Sequence, residues 1–246
     1  MNASADAILA NLKIVERERA RRAMSPDLMA GVAALKAFQQ RRFSHSYADL
    51  LTTARYGAAS RFFLDELYGP MDFTRRDAQF ARVVPALVRL FPHEVVETVA
   101  ALAELHALSE SLDTTMASQL GPVVVTPLEY IRIWQATGRV AERAAQIDLT
   151  LNVATRLDRF TRKPLLRNSL RLMRGPARAA GMAELQHFLE TGFDTFRAMR
   201  GAEEFISIVQ SREQALAFTL FGADLSARRL DPSVERALAN LPPDIA

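Results

Sequence analysis

The chain has 246 residues and a formal net charge of +3, and 49% of its residues are apolar while 24% are charged. This balance is typical of a soluble globular protein that can bury a substantial core. The chain contains no cysteine, which excludes disulfides, thiolate catalysis, zinc–thiolate sites and iron–sulfur clusters.

Apolar residues recur at helical spacing along almost the whole chain, and no alternating pattern typical of a strand is evident. Ser25-Pro26, Thr126-Pro127 and Asp231-Pro232 each combine an N-cap residue with a proline at the first helical position. Pro85 is expected to kink or split its helix, and Gly138 is the one place where the longest helix could break. In chain order the helices are predicted at 4–23, 26–42, 46–68, 74–91, 93–119, 127–161, 164–174, 182–200, 202–221 and 232–239.

These signals together predict an all-α fold. The connections between the helices are short, so neighbours in sequence should run antiparallel in a bundle of roughly nine to ten helices. We interpret residues 1–246 as a single helical domain, with a weaker boundary signal near 162–182. No internal repeat or low-complexity segment is evident.

One face of the predicted helix 93–119 changes from apolar to polar along its length. After Val99 and neighbouring apolar residues, the same face continues as His106, Glu110 and Asp113, at spacings of i, i+4 and i+7. Such a row could form a general acid/base or metal-ligand site at one end of the bundle. We favour the alternatives of a buried salt-bridge network or of a face that reaches solvent, because structural networks commonly produce this pattern.

Two further charged residues lie on apolar faces. Arg212 falls within the apolar face of its predicted helix, with Glu213 at the margin. Glu66 projects from the apolar end of an earlier helix, where an unpaired carboxylate would be costly. Because a guanidinium binds carboxylates bidentately, we expect Arg212 to pair with Glu66 or with Glu110 and Asp113. The candidate ligand-binding set is therefore Glu66, His106, Glu110, Asp113 and Arg212.

The segment 156–178 is strongly basic, and Asp158 is its only acid. A basic amphipathic helix here could bind phosphate, an anionic membrane surface or an acidic protein. Phe160 is the only aromatic residue in the segment, so nucleic acid is not an expected partner. We favour a solvated face balanced by acids elsewhere. The candidate residues for an anionic surface are Arg167, Arg171, Arg174 and Arg178.

Recognised catalytic and metal motifs are missing from the sequence. There is no phosphate-binding Walker loop, dinucleotide glycine fingerprint, nucleophile elbow or His-Glu-x-x-His motif. Glu184 and His187 have the spacing of di-iron ligands, but both project away from the apolar face of their helix and no second copy exists. The sequence therefore predicts no catalytic residue, no metal site and no cofactor.

A resemblance to a known family rests on one run of residues. The sequence Phe-Phe-Leu-Asp-Glu-Leu-Tyr at 62–68, preceded by Arg-Tyr-Gly-Ala-Ala-Ser-Arg at 55–61, resembles a bacterial family named for its Phe-Phe-Leu-Glu-Glu-Leu-Tyr motif. Asp65 stands where that motif has glutamate. The likeness continues through 76–77 and 107–113. The resemblance implies an uncharacterised bacterial family and supplies no activity and no catalytic residues.

The function is left open by these features. No apolar run reaches the ~20 residues of a membrane span, and no signal-peptide core precedes Met24, so we expect a cytoplasmic protein. We favour a non-enzymatic interaction or regulatory protein that self-associates or binds another protein. One alternative is a small-molecule-binding protein or enzyme that uses the candidate ligand-binding set. The other is a protein that binds anionic surfaces through the 156–178 segment.

Overall fold

A computed structural model describes residues 3–67, 73–120, 124–226 and 231–243. Within these ranges the chain forms α-helices, one π-helical turn at Phe63–Leu67 and no strand, which confirms the predicted all-α class. No helix in the described part of the chain is long and apolar enough to cross a membrane. The helices are α1 (Ala3–Ala23), α2 (Pro26–Ser46), α3 (Ala48–Thr52), α4 (Gly57–Phe62), α5 (Thr74–Leu90), α6 (His93–Ala117), α7 (Pro127–Thr137), α8 (Val140–Thr161), α9 (Pro164–Leu172), α10 (Arg174–Ala179), α11 (Ala183–Ala198), α12 (Glu203–Gly222) and α13 (Pro232–Leu238).

Three helices begin at the N-cap residues that the sequence predicts. In each, the side-chain oxygen of the N-cap residue accepts a hydrogen bond from a backbone N–H two or three residues later. A proline occupies the next position, where a missing N–H has no cost. These hydrogen bonds run from Leu28 to Ser25 (3.3 Å), from Glu129 to Thr126 (3.2 Å) and from Ser233 to Asp231 (2.7 Å).

The continuous helix predicted at 46–68 is wrong, because the chain divides there into α3, α4 and the π-helical turn. Thr53 adopts an extended backbone conformation that ends α3. Its hydroxyl donates to the carbonyl oxygen of Leu50 at 2.9 Å and accepts from the backbone N–H of Tyr56 at 3.1 Å. The side chain of Thr53 therefore competes with the helical hydrogen bonds, as β-branched hydroxyl residues do at turns.

The long helix predicted at 127–161 breaks at Gly138, the position that the sequence indicated. Gly138 has a φ of +61°, and Arg139 follows with a φ of +52°. Two consecutive residues in the left-handed region end α7 and turn the chain into α8.

Two other helices differ from expectation. Pro85 lies inside α5, which continues to Leu90, so Pro85 does not split the helix. The basic helix predicted at 164–174 ends at Leu172, and a separate helix, α10, begins at Arg174. The arginines between 167 and 178 therefore belong to two helices rather than one row.

Helix α6 is central and packs against α1, α2 and α8. Gln146 binds Ser109 at 2.8 Å and Arg156 binds Glu97 at 3.1 Å, so α8 runs antiparallel to α6. Three apolar clusters surround this pair of helices. One includes Ile131 of α7 and joins α2, α12 and α13; a second joins α2, α4, α11 and α12; a third joins α1, α5 and α6.

Candidate functional site

A cavity of about 250 Å³ lies inside the bundle, and side chains from all three apolar clusters contribute to its wall. Along α6 the wall extends from Val99 to Asp113, which at 1.5 Å per residue corresponds to about 21 Å. The cavity is therefore elongated along the helices. Much of the wall is apolar and includes Phe80, Leu102, Ile147, Leu151, Phe188 and Val209.

The predicted polar row of α6 faces this cavity. His106, Glu110 and Asp113 all line it, and Glu110 and Asp113 are buried. Three of the five predicted ligand-binding residues are therefore brought together. The side chain of Glu66 and residues 68–72 lie outside the described part of the chain. The ligand-binding role of these residues remains a prediction.

Glu110 is the acid at the centre of the row, and it binds two cations. Lys36 Nζ lies 2.7 Å from its Oε1, and Arg22 binds its Oε2. Arg22 also donates from Nε to the hydroxyl of Thr114 at 2.9 Å. Burial raises the pKa of Glu110, but the charges of Lys36 and Arg22 outweigh burial and lower this pKa to about 2. Glu110 is therefore ionised.

Asp113, one turn further along α6, has a different environment. Its Oδ1 accepts a 3.0 Å hydrogen bond from the amide of Gln39, which is a neutral donor. Burial raises the pKa of this carboxyl, and the charge of Glu110 acts in the same direction. Two carboxyl groups on one face of a helix therefore have pKa values that are shifted in opposite directions.

His106 forms a pair with Asp77 from the first turn of α5. Its Nε2 lies 2.8 Å from Asp77 Oδ2, and Arg19 Nη2 lies 2.7 Å from the same oxygen. Burial raises the pKa of Asp77, but hydrogen bonding and charge from His106, together with Arg19, lower it overall. An ionised aspartate that binds an imidazole in this way fixes the orientation of the ring.

Arg212 does not join the cavity set. It binds Asp49 through two parallel hydrogen bonds of 2.7 Å on the partly exposed side of α12. Glu213 instead faces inward, where it accepts a hydrogen bond from Tyr47 at 2.7 Å and binds Arg42. The predicted pairing of Arg212 is therefore wrong for Glu110 and Asp113. Adjacent residues on a helix are rotated by about 100° from each other, so Glu213 faces inward while Arg212 faces the partly exposed side.

Two of the four candidate arginines for an anionic surface bind carboxylates of α11. Arg167 lies 3.0 Å from Asp194, and Arg174 binds Glu190 at 2.6 and 2.8 Å. These contacts connect α9 and α10 to α11. The side chains of the other two candidates, Arg171 and Arg178, are exposed.

Several polar residues of the cavity wall were not identified from the sequence. They come from helices that face α6, and they include Lys36, Gln39, Arg42, Asp77, Tyr130, Arg143, Gln146 and Glu213. A signal was present in α2, where Lys36 and Gln39 are spaced i, i+3 among apolar residues. Within the described residues, no three His, Asp or Glu side chains are grouped so that they could hold a metal ion.

The aromatic side chains at the Asp113 end of the wall are held by mutual contacts. Tyr130 stacks on Phe38 with ring centroids 4.6 Å apart, and its ring lies 5.9 Å from that of Trp134. The guanidinium carbon of Arg143 lies 4.1 Å from the centre of the Trp134 ring, a cation–π contact. This end of the cavity is therefore aromatic and polar together.

The chain belongs to a family described as a domain of unknown function (DUF8198), whose model matches residues 18–227. Of the described residues that form the cavity wall, all except Leu12 lie within the matched segment. No curated protein and no solved structure matches the chain. The family therefore assigns no activity, and the function of the chain is unknown.

Proposed function

We propose that this member of the DUF8198 family binds a small, predominantly apolar molecule inside the cavity of its helical bundle. The observation that supports the proposal is the elongated internal space of about 250 Å³. A cavity of about 150 Å³ in another protein is large enough to bind benzene. The space between α6, α8 and α12 is therefore sufficient for a molecule larger than a single aromatic ring.

The composition of the wall supports the same function. Ligand sites in proteins are mostly apolar, with a few polar groups that orient the ligand. Here apolar side chains, most numerous on α6 and α12, form most of the wall, and polar groups of α2 and α6 meet on one side of it. The Glu110 network contributes rigidity to that side, because it ties α1, α2 and α6 together.

A variant that fills the cavity tests the proposal. Ala217 lines the cavity, whereas Ala215 on the same helix is exposed. Ala217→Phe should abolish binding of the neutral apolar dye Nile red, and Ala215→Phe should bind it as the unchanged protein does. Circular dichroism must show that both variants are folded, since overpacking costs ~1–3 kcal/mol.

Native mass spectrometry of the purified protein provides an independent measurement, because it detects a molecule retained in the cavity. The proposal predicts that any retained molecule is lost in Ala217→Phe and kept in Ala215→Phe. If Nile red binds equally well to the unchanged protein and to both variants, the dye binds elsewhere and the proposal is wrong.

A second candidate function is binding to anionic surfaces through α9. Leu165 and Leu172 are each 79% exposed and are seven residues apart, so they share one face of the helix. The exposed Arg171 lies beside Leu172 in sequence. Exposed leucines next to arginines suit an amphipathic helix at a lipid surface. Sedimentation with phosphatidylserine vesicles tests this function, and Leu172→Ser with Arg171→Glu should abolish it.

The remaining expectations from the sequence stay proposals. They are a bacterial origin with the Phe-Phe-Leu-Glu-Glu-Leu-Tyr family, a cytoplasmic location, a single domain, and an interaction role through self-association or another protein. The native mass of the purified protein tests self-association directly.

A further inference from the structure

Asp113 and Tyr130 present unused hydrogen-bonding capacity to the cavity. Asp113 Oδ1 accepts from Gln39, whereas Oδ2 accepts from no described residue. The Tyr130 hydroxyl likewise has no hydrogen bond among the described residues. Asp113 is 7% exposed and Tyr130 is 1% exposed. Neither oxygen is fully enclosed by neighbouring atoms, so each is accessible from the cavity that its side chain lines.

Asp113 and Tyr130 contact adjacent residues of α2, because Asp113 accepts from Gln39 and Tyr130 stacks on Phe38. Burial raises the pKa of the Tyr130 phenol, and the electrostatic influence of Asp113 acts in the same direction. The phenol is therefore a neutral group that can donate or accept a hydrogen bond. Its ring is held by the stack with Phe38. Buried polar atoms normally form hydrogen bonds. An acceptor and a hydroxyl with no hydrogen-bond partner among the described residues therefore indicate that a bound molecule forms hydrogen bonds with both.

The charged side chains that line the cavity are balanced. Among the described residues, four cationic and four acidic side chains line it: Lys36, Arg42, Arg76, Arg143, Asp77, Glu110, Asp113 and Glu213. A ligand with a charged end would add an uncompensated charge to a buried site, which is costly. A neutral polar group avoids this cost.

We infer that the molecule bound in the cavity carries a neutral hydroxyl group, which Asp113 and Tyr130 hold at the polar end while its apolar part lies along α6, α8 and α12. The inference rests on the proposed binding function. A hydroxyl is the group that fits best, because it suits either protonation state of Asp113: it can donate to the carboxylate or accept from the carboxylic acid. In both cases it can also form a hydrogen bond with the phenol. The ligand class is therefore an apolar alcohol.

Trp134 provides a direct measurement of binding at this end. It is the only tryptophan of the chain, it is 8% exposed, and it lines the cavity beside Tyr130. With excitation at a wavelength that tyrosine does not absorb, the fluorescence of the protein comes from this one indole, and a ligand that contacts the polar end should change it.

The experiment compares four molecules with the same chain of ten carbons: decanol, decane, decylamine and decanoate. Each is titrated into the purified full-length protein, with Trp134 fluorescence and calorimetry as readouts. Decanol should bind about tenfold more tightly than decane, since a hydrogen bond to a charged or buried partner has that effect on affinity. Decylamine and decanoate should bind more weakly than decanol.

Two substitutions locate the effect. Tyr130→Phe removes only the phenol oxygen, and Asp113→Leu replaces the carboxyl with a side chain of similar shape. Each should reduce decanol binding several-fold and leave decane binding unchanged. Tyr56→Phe is the matched control: it also removes the hydroxyl of a buried tyrosine, which binds Glu204 away from the cavity. This variant should keep the preference for decanol.

The outcomes separate the inference from the function on which it rests. A preference for decanol that disappears in Tyr130→Phe or Asp113→Leu supports the inference. If decane and decanol bind equally, or if the amine or the acid binds most tightly, the hydroxyl assignment is wrong and the binding function stands. If none of the four molecules binds, the proposed function itself is wrong.

Discussion

Lys36 Nζ lies 2.7 Å from Glu110 Oε1, and this contact joins α2 to α6 inside the bundle. Arg22 from α1 binds the other oxygen of the same carboxylate. The side chain of Glu110 is 5% exposed, so it lies where charges are expensive to bury. One acid therefore holds two cations in the polar wall of the cavity, and the loss of this acid has a predictable cost.

Glu110→Gln should strongly destabilise the fold. The substitution keeps the shape of the side chain but leaves the charges of Arg22 and Lys36 without their carboxylate. Breaking a buried pair by removing one partner costs ~3–5 kcal/mol. For a domain of this length that corresponds to a fall in Tm of roughly 6–20 °C, which thermal unfolding followed by circular dichroism measures.

The control for this variant is Glu129→Gln, which breaks the partly exposed pair with Arg132 on α7. Such surface pairs contribute ~0–1 kcal/mol. Equal effects of the two substitutions would show that Glu110 is not the buried centre of a network.

Acid should destabilise the protein through the same carboxylate. The pKa of Glu110 is about 2 in the folded protein, compared with an ordinary value of 4.5. A lowered pKa means that the folded state favours the ionised form, so the stabilisation is complete above about pH 4.5 and is lost as the pH falls towards 2. The difference corresponds to about 3 kcal/mol.

Urea unfolding at a series of pH values measures this dependence. In Glu110→Gln the loss of stability on acidification should be smaller than in the unchanged protein, because the variant has no carboxyl to protonate at this position. An identical pH dependence in both proteins would contradict the assignment.

The contribution of Asp113 to the pH dependence of stability should have the opposite sign, and Asp113→Asn tests it. Burial raises the pKa of Asp113 above its ordinary value of 3.8. The folded state therefore favours the protonated form, and stability falls as the pH rises from 3.8 through the raised pKa. Asparagine resembles the protonated acid and can still accept from Gln39. The variant should be as stable as the unchanged protein at acidic pH and equally or more stable at neutral pH.

The same urea measurements test this expectation, now at neutral and acidic pH. A loss of more than ~1 kcal/mol at neutral pH in Asp113→Asn would show that the carboxylate has a charged partner, since breaking such a pair is costly.

Gly57→Ala should destabilise the turn between α3 and α4, although alanine is the better helix former. A Cβ at Gly57 would lie 2.8 Å from the backbone oxygen of Leu51. Because that atom belongs to the backbone, relief requires the chain itself to shift, and overpacking of this kind costs ~1–3 kcal/mol. The matched control is Gly175→Ala in α10, where the added Cβ has no described atom within 4 Å apart from its chain neighbours and the helix's own backbone. Thermal unfolding should show a lower Tm for the first variant only.

Much of the local structure could be predicted. The N-caps at Ser25, Thr126 and Asp231 are formed as expected. Each depends on residues that lie within three positions of one another, so the sequence contains all the information. The predicted helix at 46–68 failed because the hydrogen bonds of Thr53 compete with a helix pattern that is otherwise continuous.

The sequence predicts the polar residues that α6 contributes to the candidate site, but not their partners on other helices. The positions of His106, Glu110 and Asp113 on one face of α6 follow from the 3.6-residue helical period. The error at Arg212 and Glu213 has the same origin. The pattern places Arg212 within the apolar face and Glu213 at its margin, and the helical period alone does not decide which of two adjacent residues turns inward.

Capping and helical periodicity are local properties, so the all-α class, most helix starts and the polar row of α6 could be predicted from the residues alone. The contacts of Lys36 with Glu110 and of Gln39 with Asp113, and the cavity between α6, α8 and α12, are evident only in the folded chain. Partners on different helices are set by the rotation and register of one helix against another. These depend on how side chains distant in sequence pack together.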